Sequence, residues 1–317
     1  MDVVVIGGGV IGLSVAWHLL PNKITIVDVA KPGAASRASA GMLAPFAEAK
    51  APGPLLDLGV ASLREYPRFL EAIDGVRLSG PGMLRIGAPE TVVKWTIENG
   101  FGEIVKAREV EPNVAAEEAL FTPDEKHIDP PALVRALEQA LRARGVRFTG
   151  ERVAGDVTVI ATGAWTERYS FPVRGQLIAL RSSAVRATVY APGTYLVPRD
   201  GRIIVGATEE HVGFDMTVTA GDDLRQRAAM LVPELRDAEI VDAWCGFRPG
   251  TIDGLPVIGR IDERTYVATA HYRNGILLAP ITGKLLAELI NTGVAPPLLH
   301  ECAPDRFWSA AAEPLQP

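Results

Sequence analysis

The first 28 residues pass from an apolar run through a glycine turn to a second apolar run. Residues 2–6 (Asp-Val-Val-Val-Ile) are continuously apolar after Asp2, as a parallel strand covered on both faces requires. Gly7-Gly8-Gly9-Val10-Ile11-Gly12 follows. The spacing then predicts a helix over 13–20, stopped by Pro21 and Asn22, and a strand over 24–28. Apolar positions at 55, 56, 58, 60, 63, 69, 70 and 73 predict a helix over 55–73, bent at Pro67. A strand over 82–88 and a short helix over 90–98 come next. Asp129 before Pro130-Pro131 marks a helix start, because proline is tolerated in the first turn, and Gly145 ends that helix after Arg144. Strands are predicted over 146–149 and 157–162. The pattern from 173 to 208 is β, with runs at 173–180, 188–190, 195–198 and 203–208, and Asp200-Gly201 as the hairpin turn between the last two. A helix over 220–232, an apolar strand over 265–270, a loop, and a helix from about 279 to 291 complete the chain.

This order predicts an α/β protein (α+β overall), with a Rossmann-like nucleotide-binding domain and a second, largely antiparallel β-sheet domain for substrate. The first domain is discontinuous, over 1–79, 128–164 and 246–317, and the second takes 80–127 and 165–245. No internal repeat or flexible linker is apparent, as expected of a chain that crosses between domains more than once.

The glycine turn carries the first chemistry. Gly7 permits the tight turn, Gly9 lets backbone approach a pyrophosphate, and Gly12 lets the helix pack on the sheet. The pyrophosphate would rest on the helix N-terminus, where free N–H groups and the dipole favour anions. Asp28, at the end of the second strand, suits ribose hydroxyls and would repel a 2′-phosphate, which disfavours NADP. FAD and NAD share this fingerprint, so it does not choose between them.

Composition narrows the classes. The chain has 317 residues, 48% of them hydrophobic and 22% charged, which allows one large or two medium domains with a substantial core. A net charge of −6 without a basic stripe argues against nucleic acid as a partner. There is no signal-peptide pattern and no apolar run of the ~20 residues that a membrane helix needs. Two distant cysteines, Cys245 and Cys302, read as reduced cytoplasmic thiols, and no His/Cys cluster has metal-ligand spacing.

The remaining motifs decide between cofactors. Residues 36–48 read Ser-Arg-Ala-Ser-Ala-Gly-Met-Leu-Ala-Pro-Phe-Ala-Glu, a small-residue loop that lets backbone approach a flat ring. Further on stand Val159-Ile-Ala-Thr-Gly-Ala-Trp165, Tyr195-Leu-Val-Pro-Arg-Asp-Gly201, Gly246-Phe-Arg-Pro-Gly-Thr-Ile-Asp-Gly254 and His271-Tyr-Arg-Asn-Gly-Ile-Leu-Leu278. In order across almost the whole chain, these segments resemble the D-amino-acid oxidase family in its glycine oxidase branch. The resemblance implies one noncovalent FAD per chain, a small amino acid or amine as substrate, O2 as acceptor, and a homo-oligomer, namely a homotetramer. It also implies a role in supplying the imine of glycine for the thiazole of thiamine.

For the cofactor, the resemblance implies contacts from Gly7, Gly9, Val10, Ile11 and Gly12, and from Asp28 and Val29. It adds Ser36, Arg37, Ser39, Ala40, Gly41, Met42 and Leu43 from the small-residue loop, with Val153 near the adenine and Thr162 and Gly163 at a strand end. The C-terminal run His271, Tyr272, Arg273, Asn274, Gly275, Ile276 and Leu277 would face the flavin, its loop N–H groups and the helix beyond stabilising charge on the reduced ring. For the substrate, it implies that Arg248 pairs with the carboxylate and that Arg273 lies beside it. Tyr195 would wall the pocket, and Glu209 would bind the amine or face solvent. No acid–base residue is required. A sarcosine, D-amino-acid or imino-acid oxidase or dehydrogenase stays open, including one that tethers FAD through Cys245. So do a tRNA-modifying flavoprotein domain and a flavin-bound partner without turnover.

Overall fold

The computed structural model describes residues 1–48 and 51–307; residues 49–50 and 308–317 of the expected nucleotide-domain segments lie outside the described residues. The strands are β1 (Asp2–Ile6), β2 (Lys23–Val27), β3 (Met83–Arg85), β4 (Glu103–Lys106), β5 (Glu118–Thr122), β6 (Arg147–Thr149) and β7 (Val157–Ile160). They continue with β8 (Phe171–Arg181), β9 (Thr188–Ala191), β10 (Thr194–Arg199), β11 (Arg202–Gly206), β12 (Ile240–Gly250), β13 (Val257–Arg260) and β14 (Thr265–Thr269). The helices that matter to the site are α1 (Val10–His18), α2 (Ala35–Ala38), α3 (Pro45–Glu48), α4 (Pro54–Glu71), α5 (Glu90–Glu98), α6 (Ala107–Val110), α7 (Pro130–Ala143), α8 (Gly221–Leu231) and α9 (Gly275–Thr292).

The first sheet runs β13-β14-β7-β1-β2-β6, parallel throughout except at β13. Val3, Val4 and Val5 of β1 are all buried, because α1, α7 and α9 pack around this sheet's core. The second sheet runs β12-β8-β11-β10-β9-β3-β5-β4 and is antiparallel except where β3 meets β9. The Asp200-Gly201 turn joins β10 to β11, both residues at positive φ (47° and 71°) as the hairpin reading requires. Pairing of β12 with β8 continues from Cys245 opposite Gln176 to Gly250 opposite Phe171, so the second sheet extends past the expected boundary between 245 and 246. Among the described residues no helix is long and apolar enough to cross a membrane.

Several expectations need correction. Helix α1 starts at Val10, not 13, so the glycine turn runs straight into it. The small-residue loop contains two single turns of helix, α2 and α3. Strands β4, β5 and β13 were not expected; β4 is a short edge strand with mostly exposed side chains, which leaves no apolar alternation to read.

The last helix begins at Gly275 rather than about 279, with Pro280 inside it. Proline has no N–H for the carbonyl of Ile276, and a buried carbonyl left unpaired costs about 1–3 kcal/mol. The Tyr66 hydroxyl of α4 donates to that carbonyl instead. Ser62 Oγ donates to Leu277 O (2.6 Å) and Ser14 Oγ of α1 to Ala279 O (2.6 Å). Side chains of two other helices therefore complete the first turns of α9, which sequence periodicity does not show.

Candidate active site

Between the two sheets lies a cavity of about 720 Å3. Its floor is the end of the parallel sheet, where the glycine turn brings Gly7, Gly9, Val10 and Ile11 to the wall. Gly12 stands behind them, tight against the carbonyl of Gly7. Asp28 and Val29 line the cavity after β2, and Asp28 Oδ1 accepts the Gly8 N–H at 2.8 Å. One carboxylate oxygen thus braces the turn while the residue faces the cavity.

The 36–42 loop supplies a second wall through Ser36, Arg37, Ser39, Ala40, Gly41 and Met42. Ser36 Oγ accepts the first N–H of α1, from Val10, at 3.0 Å. Arg37 extends outward to Glu138 of α7 (2.9 Å). Thr162 and Gly163 enter from the end of β7, and His271, Tyr272, Arg273, Asn274, Gly275 and Ile276 from the loop that becomes α9.

Four expected cofactor residues are not on this wall. Gly12 serves the turn from behind. Leu43 is fully buried in the first sheet's core, and its N–H is committed to Lys126 O. Leu277 points into the same core. Val153 lies between β6 and β7, outside the lining.

The opposite end of the cavity is charged. Arg248 and Tyr195 line it from β12 and β10. Arg248 Nη1 donates to Thr208 O at 3.0 Å, and among the described residues no carboxylate pairs with its guanidinium. It lies across Gly175 of β8, where a Cβ would stand 2.3 Å from Arg248 Nη2. Burial raises the Tyr195 phenol above its ordinary pKa, while the Arg248 guanidinium pulls it down.

Arg273 differs, because Glu48 Oε2 sits 2.8 Å from its Nε and Glu209 Oε2 lies 3.8 Å from its Nη1. Burial is the largest single influence and acts against the Arg273 charge, but Glu48 together with Tyr190, Tyr195 and Tyr272 outweighs it and raises the pKa of the guanidinium. Glu209 is not part of the wall and, among the described residues, meets the site through this contact and through Tyr272. His271 is 3% exposed and bonded to Thr282 Oγ1 at 3.0 Å; burial lowers its pKa to about 3, so it is neutral near pH 7. Glu48 was not singled out in the sequence, although it closes the 36–48 motif, because its partner lies far along the chain. Gly175 gave only the weak signal of a glycine inside a strand.

The comparisons with known proteins agree with this geometry. Residues 2–289 match the family model described as DAO, FAD dependent oxidoreductase. The chain belongs to that family. It is 34% identical to glycine oxidase of Geobacillus kaustophilus, over 91% of this chain and 92% of the relative. It is 36% identical to the bifunctional protein ThiO/ThiG of Synechocystis, over 99% of this chain, and spans about half (55%) of that relative's length. Among solved structures, glycine oxidase from Geobacillus kaustophilus superposes with a TM-score of 0.87 at 32% identity, covering 95% of this chain and 97% of the other.

The family's cofactor is FAD, and the residues present fit it. Ser39 Oγ is buried on the cavity wall without a hydrogen-bond partner, which a polar cofactor group would satisfy. The first turns of α1 and α9 both open on the cavity, and first-turn N–H groups have no intrahelical acceptor. Cys245 is not on the wall; its thiol lies against Met216 O at 3.5 Å.

Proposed function

We propose that this chain oxidises glycine or a similar small amine, releasing an imine that water converts to glyoxylate and ammonia. Bound FAD would supply the acceptor for the hydride that leaves the substrate Cα and the route by which its electron pair reduces O2 to hydrogen peroxide. One observation carries the reading: Arg248 offers the cavity a guanidinium without a carboxylate partner among the described residues, whereas Glu48 holds Arg273. Arg248 receives the substrate carboxylate as a planar fork, with the Tyr195 hydroxyl beside it. The Glu48–Arg273 pair, with Glu209 reaching Arg273 from outside the wall, forms the side facing the amine. These residues orient Cα, and the geometry supplies most of the catalysis. No side-chain base is assigned, and neutral His271 remains bonded to Thr282.

In the same proposal, the first sheet and its helices hold FAD and the second sheet presents the substrate groups. Gly7, Gly9, Val10 and Ile11 cradle the pyrophosphate, Asp28 and Val29 the ribose, and Ser36, Arg37, Ser39, Ala40, Gly41 and Met42 the flavin side. Thr162 and Gly163 meet the cofactor at the β7 end, and the 271–276 loop faces the flavin. The position of Cys245 favours untethered FAD over the sarcosine-type tether. In the same proposal the enzyme works in the cytoplasm, a reading supported by its two distant, reduced cysteines. It is a homotetramer that supplies the imine of glycine for the thiazole of thiamine, a reading supported by the glycine oxidase resemblance.

The purified protein is expected to be yellow and to release hydrogen peroxide and glyoxylate with glycine. A colourless protein that stays inactive after FAD is added overturns the proposal. Anaerobic flavin bleaching with glycine, sarcosine and D-amino acids ranks the substrates. Asp28→Ala is expected to weaken FAD binding about tenfold or more, since it removes a charged acceptor and frees the Gly8 N–H. Fluorescence titration of the apoprotein with FAD measures this; unchanged affinity would remove Asp28 from the cofactor site.

A further inference from the structure

Behind the Glu48–Arg273 pair lies a buried carboxylate that the proposed reaction does not use. Glu125, just after β5, is 1% exposed. Its Oε1 accepts the N–H groups of Phe46 (2.7 Å) and Ala47 (3.3 Å), and Thr122 Oγ1 donates to Oε2 at 2.6 Å. Phe46 and Ala47 belong to α3, the single turn that ends at Glu48. Buried Arg85 of β3 donates to the carbonyl of Phe46. Arg85 also lies over the Tyr190 ring, 5.7 Å from its centroid, and Tyr190 is within electrostatic reach of both Glu48 and Arg273.

One turn of helix has almost no cooperative stability of its own. Its position must come from tertiary contacts, and here the N–H side of α3 is held by Glu125, just after β5, and its carbonyl side by Arg85 of β3. The Phe46 ring, packed on Phe101 at 4.7 Å and Trp95 at 5.9 Å, anchors only the apolar side. Loosening the polar hold moves Glu48, and Glu48 is what keeps Arg273 from acting as a second carboxylate binder beside Arg248.

We propose that Glu125, with Arg85, is a positioning residue for substrate orientation: it fixes α3 so that Glu48 occupies Arg273 and leaves Arg248 as the single carboxylate anchor. This inference rests on the substrate reading above. Burial raises the Glu125 pKa to about 7, against hydrogen bonds from Thr122, Phe46 and Ala47 and the charge of Arg85. The hold is therefore strongest above neutral pH and weakens as Glu125 is protonated. The charged groups facing it are Arg85 and, beyond Arg85, Glu48. His127, two residues on, is kept neutral by burial with a pKa of about 4, so it does not titrate in the same window.

The test titrates the FAD-loaded protein with acetate, a carboxylate without an amine, and follows the flavin spectrum. Glu48→Gln and Glu125→Ala are each expected to bind acetate about tenfold more tightly, because freed Arg273 offers a second charged partner. With glycine, both variants are expected to lose kcat and KM together, the signature of nonproductive binding, with kcat/KM less changed. The double variant should bind acetate no more tightly than Glu48→Gln alone, because Glu125 acts through Glu48. Wild-type affinity for acetate should rise as the pH falls through about 7, and Glu125→Gln should lose that inflection. If Glu125→Ala does not fold, this pH profile decides.

Acetate affinity unchanged or weaker in folded Glu125→Ala, additive effects in the double variant, or an inflection that persists in Glu125→Gln overturns the inference. Acetate that leaves the wild-type spectrum unperturbed does so too. A wild-type protein that binds acetate and does not oxidise glycine overturns the function proposed above while leaving this inference standing.

Discussion

Arg248→Ala is expected to raise the KM for glycine by about a hundredfold or more while FAD stays bound. Each hydrogen bond to a charged group contributes about 1.5–3 kcal/mol, and a bidentate pair makes two, with about 1.4 kcal/mol per factor of ten. Among the described residues no other carboxylate engages this guanidinium, so its removal leaves no internal ion pair broken. The loss therefore falls on substrate. Arg248→Lys keeps the charge without the fork and should recover only part of the affinity. A spectrum that retains the flavin, with a KM within threefold of wild type, would rule out Arg248 as the anchor. Arg273→Ala should behave differently, because it leaves Glu48 and Glu209 without their partner and alters the charge of the whole pocket end.

Gly12→Ala is expected to abolish FAD retention. A Cβ at this position would stand 2.0 Å from the Gly7 carbonyl oxygen, and that oxygen is backbone and cannot turn aside. The turn itself would have to open. Gly7, at φ 116°, is equally confined, with its own added Cβ 2.3 Å from Ala161 O. Opening the turn would separate the N–H groups of α1 from the proposed pyrophosphate site and release Asp28 from Gly8. The readout is the ratio of flavin to protein absorbance after purification, with circular dichroism to check that the fold persists. A yellow, folded Gly12→Ala would show that the turn has room that the structure denies it.

The glycine-turn side of the cavity, where FAD is proposed to bind, was largely legible as structure because it is local. The glycine turn, its strand and its helix lie within a few residues of one another, and their conformation follows from backbone sterics. The 36–48 loop and the 271–278 run were also visible as motifs, although their short helices were not. The start of α9 was misplaced because Pro280 normally stands in a first helical turn. The hydroxyl of Tyr66, brought from α4, takes up the carbonyl that an interior proline leaves without its helical partner there. The substrate end was less legible. Arg248 and Arg273 look equivalent in the sequence, two arginines beside glycine motifs. Glu48 separates them by pairing with Arg273 alone, across more than two hundred residues of chain.

The sequence by itself determined a parallel βαβ start with a dinucleotide turn and a β-rich middle, which depend on side-chain periodicity and backbone conformation over short stretches. Its motifs also carry the resemblance to a flavin family. The tertiary structure alone decided which arginine faces the cavity without a carboxylate partner among the described residues, that Gly175 makes room for it, and that Glu125 and Arg85 hold the turn carrying Glu48. These are contacts between distant segments, set by how the two sheets meet, and no local pattern encodes a distance between residues that only folding brings together.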